Sequence, residues 1–216
     1  MLYAAGSYQD LSIDAAAPCG VTWNGSLLWF ADSGREQVTG VDPYSGEQLA
    51  VVPCPQLRKG LATSGGNLVY VAGDDHQLCT LEPSSGRVVD RRANPRPGRE
   101  ICGLEGGRPG LWTAHREVLD WRAPPGYRLV DSIGVTNRVT GVTVTDRYVI
   151  YCTHPSRAMR VPLGTIIVVD PNAREEVLSI NVHGTPTGLA WDGSRLWYCD
   201  YSTSRLRAID VPGIVR

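Results

Sequence analysis

The segment GLAWDGSRLWYCD at 188–200 nearly repeats GVTWNGSLLWFAD at 20–32, and three fainter copies lie between them. With the leading glycine as origin, an apolar triplet recurs eight to ten residues later. Gly20 leads to Leu28, Trp29 and Phe30; Gly60 to Leu68, Val69 and Tyr70; Gly103 to Leu111, Trp112 and Thr113; Gly141 to Val149, Ile150 and Tyr151; Gly188 to Leu196, Trp197 and Tyr198. Turn-forming residues (NGS, SGG, GRPG, TDR, DGS) separate glycine from triplet, so each copy opens as a hairpin. A third strand follows and ends in an acid 22 residues from the glycine in three copies, at Asp42, Glu82 and Asp210, with Asp170 as the counterpart after an insertion. A second turn (PYSGE, PSSGR, PPGYR or PNARE) then returns the chain into a fourth strand.

Four short antiparallel strands per unit, at spacings of 40, 43, 38 and 47 residues, predict propeller blades. The triplet is apolar on both strand faces, as a sheet packed between neighbouring blades requires; a two-layer sandwich would alternate. The fifth copy ends after its third strand, and residues 7–13 carry the register of the missing fourth, since Gly6 precedes Gly20 by the same 14 residues that separate Gly46 from Gly60. The expectation is an all-β, five-bladed β-propeller in a single domain over 1–216, with blades at 18–57, 58–100, 101–137, 138–185 and 186–216, the last completed by 7–13. The N-terminal strand then closes the ring and removes an exposed sheet edge.

Composition narrows the partners. The net charge is −1 with no basic tract, which leaves no counterion-displacing surface for nucleic acid. No apolar run approaches the roughly 20 residues of a membrane helix. The start, MLYAAGSYQD, has neither a basic segment nor a long apolar one, so a cytoplasmic, bacterial protein is expected. Six cysteines without a CxxC pair read as small buried residues in a reducing compartment.

The blade text, GhxWDGxxLWhxDxxxxxhxxhDP with h apolar, resembles the NHL/YVTN and virginiamycin-B-lyase-like class of propellers over essentially the whole chain. It does not resemble WD40 repeats, because Trp191 and Asp192 sit in the first hairpin turn rather than at the end of a third strand. The resembling class includes lyases, lactonases, strictosidine-synthase-like enzymes, five-bladed plant-type glutaminyl cyclases and interaction modules. It implies the fold, and its motif carries no catalytic set onto this chain.

Propeller ligands bind on the axis, at the face bearing the loops between second and third strands and those entering each innermost strand. The marked length changes fall there: an insertion in THPSRAMRVPLG (153–164), read as a lid, extra residues before Gly103, and a shortening after Trp112. All four histidines, His76, His115, His154 and His183, map to that face. His115 occupies the position of Asp32 in blade one and Asp200 in blade five, which makes it the leading proton carrier. Asp32 and Asp200, on adjacent blades, either hold a divalent cation or share a proton, or else each caps its following turn. No cofactor motif is evident, and without HxH or HxxxH spacing a metal rests on inferred geometry.

One residue before each glycine stands a second ring: Cys19, Lys59, Cys102, Thr140 and Thr187. Lys59, the only lysine, reads as base, Schiff-base nucleophile or chance rim residue. Arg58, Arg138 and Arg157, with Glu100 and Tyr201, complete the ligand-binding set and suit a small, anionic ligand. Trp29, Trp112 and Trp197, and likewise Trp23 and Trp191, share repeat positions and read as core. Two functions follow: an enzyme of lyase, cyclase, isomerase or hydrolase type, with His115, Asp32, Asp200, His154 and Lys59 in catalysis, or a non-catalytic propeller binding a peptide, glycan or protein partner on the same face.

Overall fold

The second strand of each unit is nearly continuous apolar sequence, and it is the most deeply buried element of every sheet. Leu28–Asp32, Val149–Thr153 and Leu196–Asp200 are buried at every position. Each fully buried Leu, Val or Tyr contributes about 1.5–3 kcal/mol, so these strands anchor the blades. The outermost strands contribute less, since Leu49, Val51, Leu129 and Val177 remain about half exposed. The computed structural model describes residues 2–4, 7–107, 110–124, 126–154, 163–211 and 214, and among them there is no helix.

Five four-stranded antiparallel blades form a ring. Blade one is Pro18–Trp23, Leu28–Asp32, Gln37–Val41 and Gln48–Pro53; blade two is Leu57–Ser64, Asn67–Ala72, Gln77–Glu82 and Arg87–Arg92. Blade three is Gly103–Gly107, Gly110–His115, Val118–Ala123 and Arg128–Gly134; blade four is Val139–Val144, Val149–Thr153, Leu163–Asp170 and Glu175–His183. Pro186–Trp191, Leu196–Asp200 and Arg205–Ile209 make blade five, whose outer strand is Ser7–Ser12. That strand pairs antiparallel with Arg205–Ile209, Leu11 opposite Leu206 and Ser12 opposite Arg205, as the register of residues 7–13 predicts. One element was not expected: Leu2–Ala4 pairs in parallel with Glu175–His183 at the outer edge of blade four. The leading segment thus spans two blades and covers the edges of both.

The acid at the end of the third strand has a local purpose. The Asp42 carboxylate accepts the backbone N–H groups of Tyr44 (2.9 Å) and Ser45 (2.7 Å), and Asp170 accepts those of Asn172 (2.9 Å) and Ala173 (3.2 Å). Asn24, Thr145 and Asp192 do the same in the first hairpins. Asp42 and Asp170 are turn closures.

The repeating glycine has a global purpose. The innermost strands converge so closely that a methyl group on Gly188 would lie 2.6 Å from the Gly20 Cα, and one on Gly141 would lie 2.7 Å from the Gly188 Cα. A methyl on Gly103 would meet Gly141 at 2.9 Å, and one on Gly20 would meet the Leu61 nitrogen at 2.9 Å. Five glycines therefore seal the axis at mid-height, where no room remains for a water molecule. The propeller has two separate mouths.

Candidate functional site

The loop-rich mouth is an axial cavity of about 540 Å³. The residue preceding each ring glycine lines its floor: Cys19, Lys59, Cys102, Thr140 and Thr187. A side chain next to the closest approach of five strands has no other direction open to it. Arg58, Arg138, His154 and Tyr201 also line the cavity, so nine of the residues singled out in the sequence meet here. Arg157 and most of the blade-four insertion lie outside the described residues.

Charge in this mouth is organised around Glu100, on the segment entering blade three. Lys59 Nζ donates to its carboxylate, with Arg116 Nε at 3.5 Å and Arg138 Nη2 at 3.8 Å from Oε2. Burial pushes the Glu100 carboxyl up, but Lys59, then Arg116 and Arg138, outweigh it and hold the group below its ordinary value. Lys59 is thus a paired cation, which is not the condition of a neutral lysine nucleophile. His154 stands partly exposed at the mouth. Partial desolvation, then the charges of Arg138 and Lys59, lower its pKa, which favours the neutral imidazole. Burial pushes the Cys19 and Cys102 thiols up to about 11, which leaves little thiolate for chemistry.

All four histidines lie at this end of the cylinder, yet they do not converge. His115 and His154 stand at or just after the ends of second strands, His76 in a turn between second and third strands, and His183 at the end of a fourth. His115 is only 2% exposed and is turned away from the axial cavity. Its Nδ1–H donates to the Glu100 carbonyl (3.0 Å), and its Nε2 faces the Thr113 hydroxyl (3.3 Å). Desolvation lowers its pKa, and it borders a lateral depression with Arg96, Arg99 and Arg116. It belongs to a buried network in blade three that the sequence analysis did not find, in which Asp120 accepts from Arg96, Arg122 and Ser132. His76 lines a third depression beside Arg58, Lys59 and Asp74. His183 is exposed.

Asp32 and Asp200 do not line the axial cavity; the turn-capping alternative describes their geometry. Asp32 accepts the N–H groups of Ala16 (2.8 Å), Ala17 (2.9 Å) and Gly34 (3.0 Å). Asp200 accepts those of Thr185 (2.8 Å) and Ser202 (3.0 Å) and the hydroxyls of Ser202 (2.7 Å) and Thr203 (2.6 Å). Burial raises the Asp200 carboxyl, and these bonds outweigh it and hold it ionised below its ordinary range. Among the described residues no group of three or more His, Cys, Asp or Glu is arranged to hold a metal ion, and no helix is long and apolar enough to cross a membrane.

The tryptophan reading divides. Trp29 and Trp197 are core, 4% and 0% exposed. Trp23, Trp112 and Trp191 are half-buried and, with Trp121, line the opposite mouth beside Glu105. Trp23 and Trp191 share one repeat position, whereas Trp112 shares that of the buried Trp29 and Trp197, and Trp121 falls outside the repeat. A position repeated around a ring points either into the blades or onto the axis, and spacing alone does not distinguish the two.

The architecture defines a five-bladed β-propeller. It is similar to the crystal structure of Myxococcus xanthus glutaminyl cyclase, at 14% identity and a TM-score of 0.75, over 96% of each chain. It is also similar to Kuenenia stuttgartiensis hydrazine synthase, at 13% identity and a TM-score of 0.54, over 91% of this chain and 58% of that one. At such identities the likeness is one of fold. No family model matches the sequence, and no curated protein matches it.

Proposed function

We propose that the loop-rich mouth binds a small anionic molecule, one bearing a carboxylate or phosphate, and that His154 accepts a proton from it. The observation that carries this reading is one cavity holding Lys59, Arg58 and Arg138 together with an imidazole whose pKa is lowered. The cations attract the anion, and the neutral ring nitrogen is the available base near neutral pH. Glu100 keeps Lys59 and Arg138 at the wall until an anionic ligand competes for them. The chemistry is of the lyase, cyclase or isomerase kind, in which the base takes a proton from the ligand, or of the hydrolase kind, in which it takes one from water. Two similar structures bear the names of a cyclase and a synthase, which supports an enzyme on this scaffold. The blade text keeps the chain near the NHL/YVTN and virginiamycin-B-lyase-like propellers.

The test is a panel of small carboxylates and phosphates screened by thermal shift, then followed by NMR for solvent-deuterium exchange at carbons next to the acid group. Exchange that depends on His154, and is lost in His154→Gln while binding persists, is the expected result. Binding that survives Lys59→Gln combined with Arg138→Gln would overturn the reading. A second reading draws on Tyr201, 52% exposed at the rim, which suits a non-catalytic contact with a peptide, glycan or protein partner. Saturable binding of an anion with no exchange, in the presence of an intact His154, would favour it.

A further inference from the structure

Beyond the glycine ring, at the other end of the axis, a cavity of about 930 Å³ opens between the hairpin turns that join first and second strands. Glu105 lies at its floor and is 7% exposed. Its carboxyl group receives the Thr143 hydroxyl at 2.6 Å, the Gly106 N–H at 2.8 Å and the Thr22 hydroxyl at 3.5 Å, and the Thr22 and Thr63 hydroxyls stand 3.1 Å apart. Every one of these partners is neutral. A buried carboxyl group either keeps its proton or is matched by a positive charge, and among the described residues no cation is paired with this one.

The walls supply the other half of a cation site. Trp23, Trp112, Trp121, Trp191 and Tyr148 line the cavity, with the Trp112 and Trp121 rings 5.5 Å apart. Aromatic faces attract cations, most strongly where water is excluded. The rim already does this within the chain, since the Arg147 guanidinium lies 5.0 Å from the centre of the Tyr148 ring. A buried carboxyl group with no cation paired to it among the described residues, in a cavity lined by tryptophans, offers a place for a bound cation.

We infer that this mouth binds an alkylammonium group, seated among the tryptophan rings with its charge toward Glu105. Burial pushes the Glu105 carboxyl up to about 8, against smaller lowering by Thr143, Gly106 and Thr22. At neutral pH the free site therefore holds mostly the acid. An arriving ammonium ion stabilises the carboxylate, and the displaced proton goes to solvent. The groups facing Glu105 are Thr22 from blade one, Thr63 from blade two, Gly106 from its own strand and Thr143 from blade four. Among the described residues the other charged groups lining the cavity are Asp146 and Arg147, at the blade-four turn.

The experiment is a tryptophan-fluorescence titration of the full chain with choline and with its neutral carbon isostere, 3,3-dimethyl-1-butanol. Choline should bind saturably and more tightly than the isostere by about tenfold or more. Its affinity should rise by about tenfold between about pH 6.5 and about pH 9, as the acid ionises. Both preferences should vanish in Glu105→Gln. Equal binding of the two probes, an unchanged preference in Glu105→Gln, or no saturable response would overturn the inference. Should Glu105→Gln not fold by circular dichroism, Thr143→Val carries the test. It keeps the charge but removes one hydrogen bond to it, so the pH at which choline affinity rises should move upward; an unmoved midpoint counts against the site. The titration reads this mouth alone, so its failure leaves the reading of His154 untouched.

Discussion

The two mouths of this propeller are built from the same repeat position by position, yet they are chemical opposites. At the loop-rich mouth the acids are satisfied, Glu100 by three cations and Asp32 and Asp200 by backbone N–H groups. At the other mouth, among the described residues, Glu105 is met by hydroxyls and one amide, and tryptophans line the wall. The side chains on either side of the ring glycines diverge because one end carries loops of unequal length, whereas the other carries tight hairpins. The long entry segment of blade three, residues 93–102, brings Glu100 within reach of Lys59 and Arg138. Short hairpins bring only what lies on the strands, which for a buried strand is aromatic or hydroxylic. The difference teaches that loop length decides which mouth acquires charge pairs.

The comparison depends first on the seal between the mouths. Gly188→Val should destabilise the fold by about 4 kcal/mol or more, because the added carbons meet the Gly20 backbone rather than a movable side chain. Gly134→Ala, where a methyl group meets nothing within 4 Å, should be near neutral in the same urea titration. Equal midpoints for the two variants would remove the glycine ring as a structural principle.

The next largest effect follows from Glu105. Its carboxyl titrates near its ordinary value when unfolded and at about 8 when folded, so the folded state holds its proton more tightly. The stability that this contributes is complete below about pH 4 and is lost as pH rises through about 8, amounting to roughly 5 kcal/mol. Chemical denaturation from about pH 5 to about pH 8.5 should show this decline in the native protein and a flatter profile in Glu105→Gln. Parallel profiles would mean that the two mouths do not differ in the way described.

Asp200→Ala should cost about 2 kcal/mol, since it strands two backbone N–H groups and two hydroxyls at a buried turn. If anion affinity at the loop-rich mouth fell along with stability, Asp200 would belong to the site rather than to its frame. Lys59→Gln should weaken phosphate or carboxylate binding by roughly fivefold, measured calorimetrically, with little change in stability because the Lys59–Glu100 pair is partly exposed. The smallest effect is expected of the thiols. With pKa values near 11, Cys19 and Cys102 should react with iodoacetamide at neutral pH far more slowly than a free thiol, and rapid labelling would restore them as chemical groups.

Much of the scaffold was legible in the residues. The five glycines, the triplets and the register of residues 7–13 all return as ring, buried strands and closing strand. The ring of Cys19, Lys59, Cys102, Thr140 and Thr187 was also visible, and it lines a cavity. His115 was harder to place. It ends its strand at the expected mouth, but its imidazole turns toward the Glu100 carbonyl, and no spacing rule reports that rotation. The same holds for Trp23 and Trp191, whose repeat position gave no hint that they face the far cavity instead of the core.

What the sequence determined by itself is periodic and local: the number of blades, the strands within each, and the acids that close turns two or three residues away. Hydrophobic pattern and turn chemistry act over a few residues, so they can be read along the chain. Only the tertiary structure decided which side chains meet across the axis. Glu105 receives its hydroxyls from Thr22 and Thr143, 83 and 38 positions distant, and Lys59 meets Glu100 across 41. Such encounters depend on where closure of the ring brings separate blades together, and with them come the desolvation and the charge pairing that distinguish one mouth from the other.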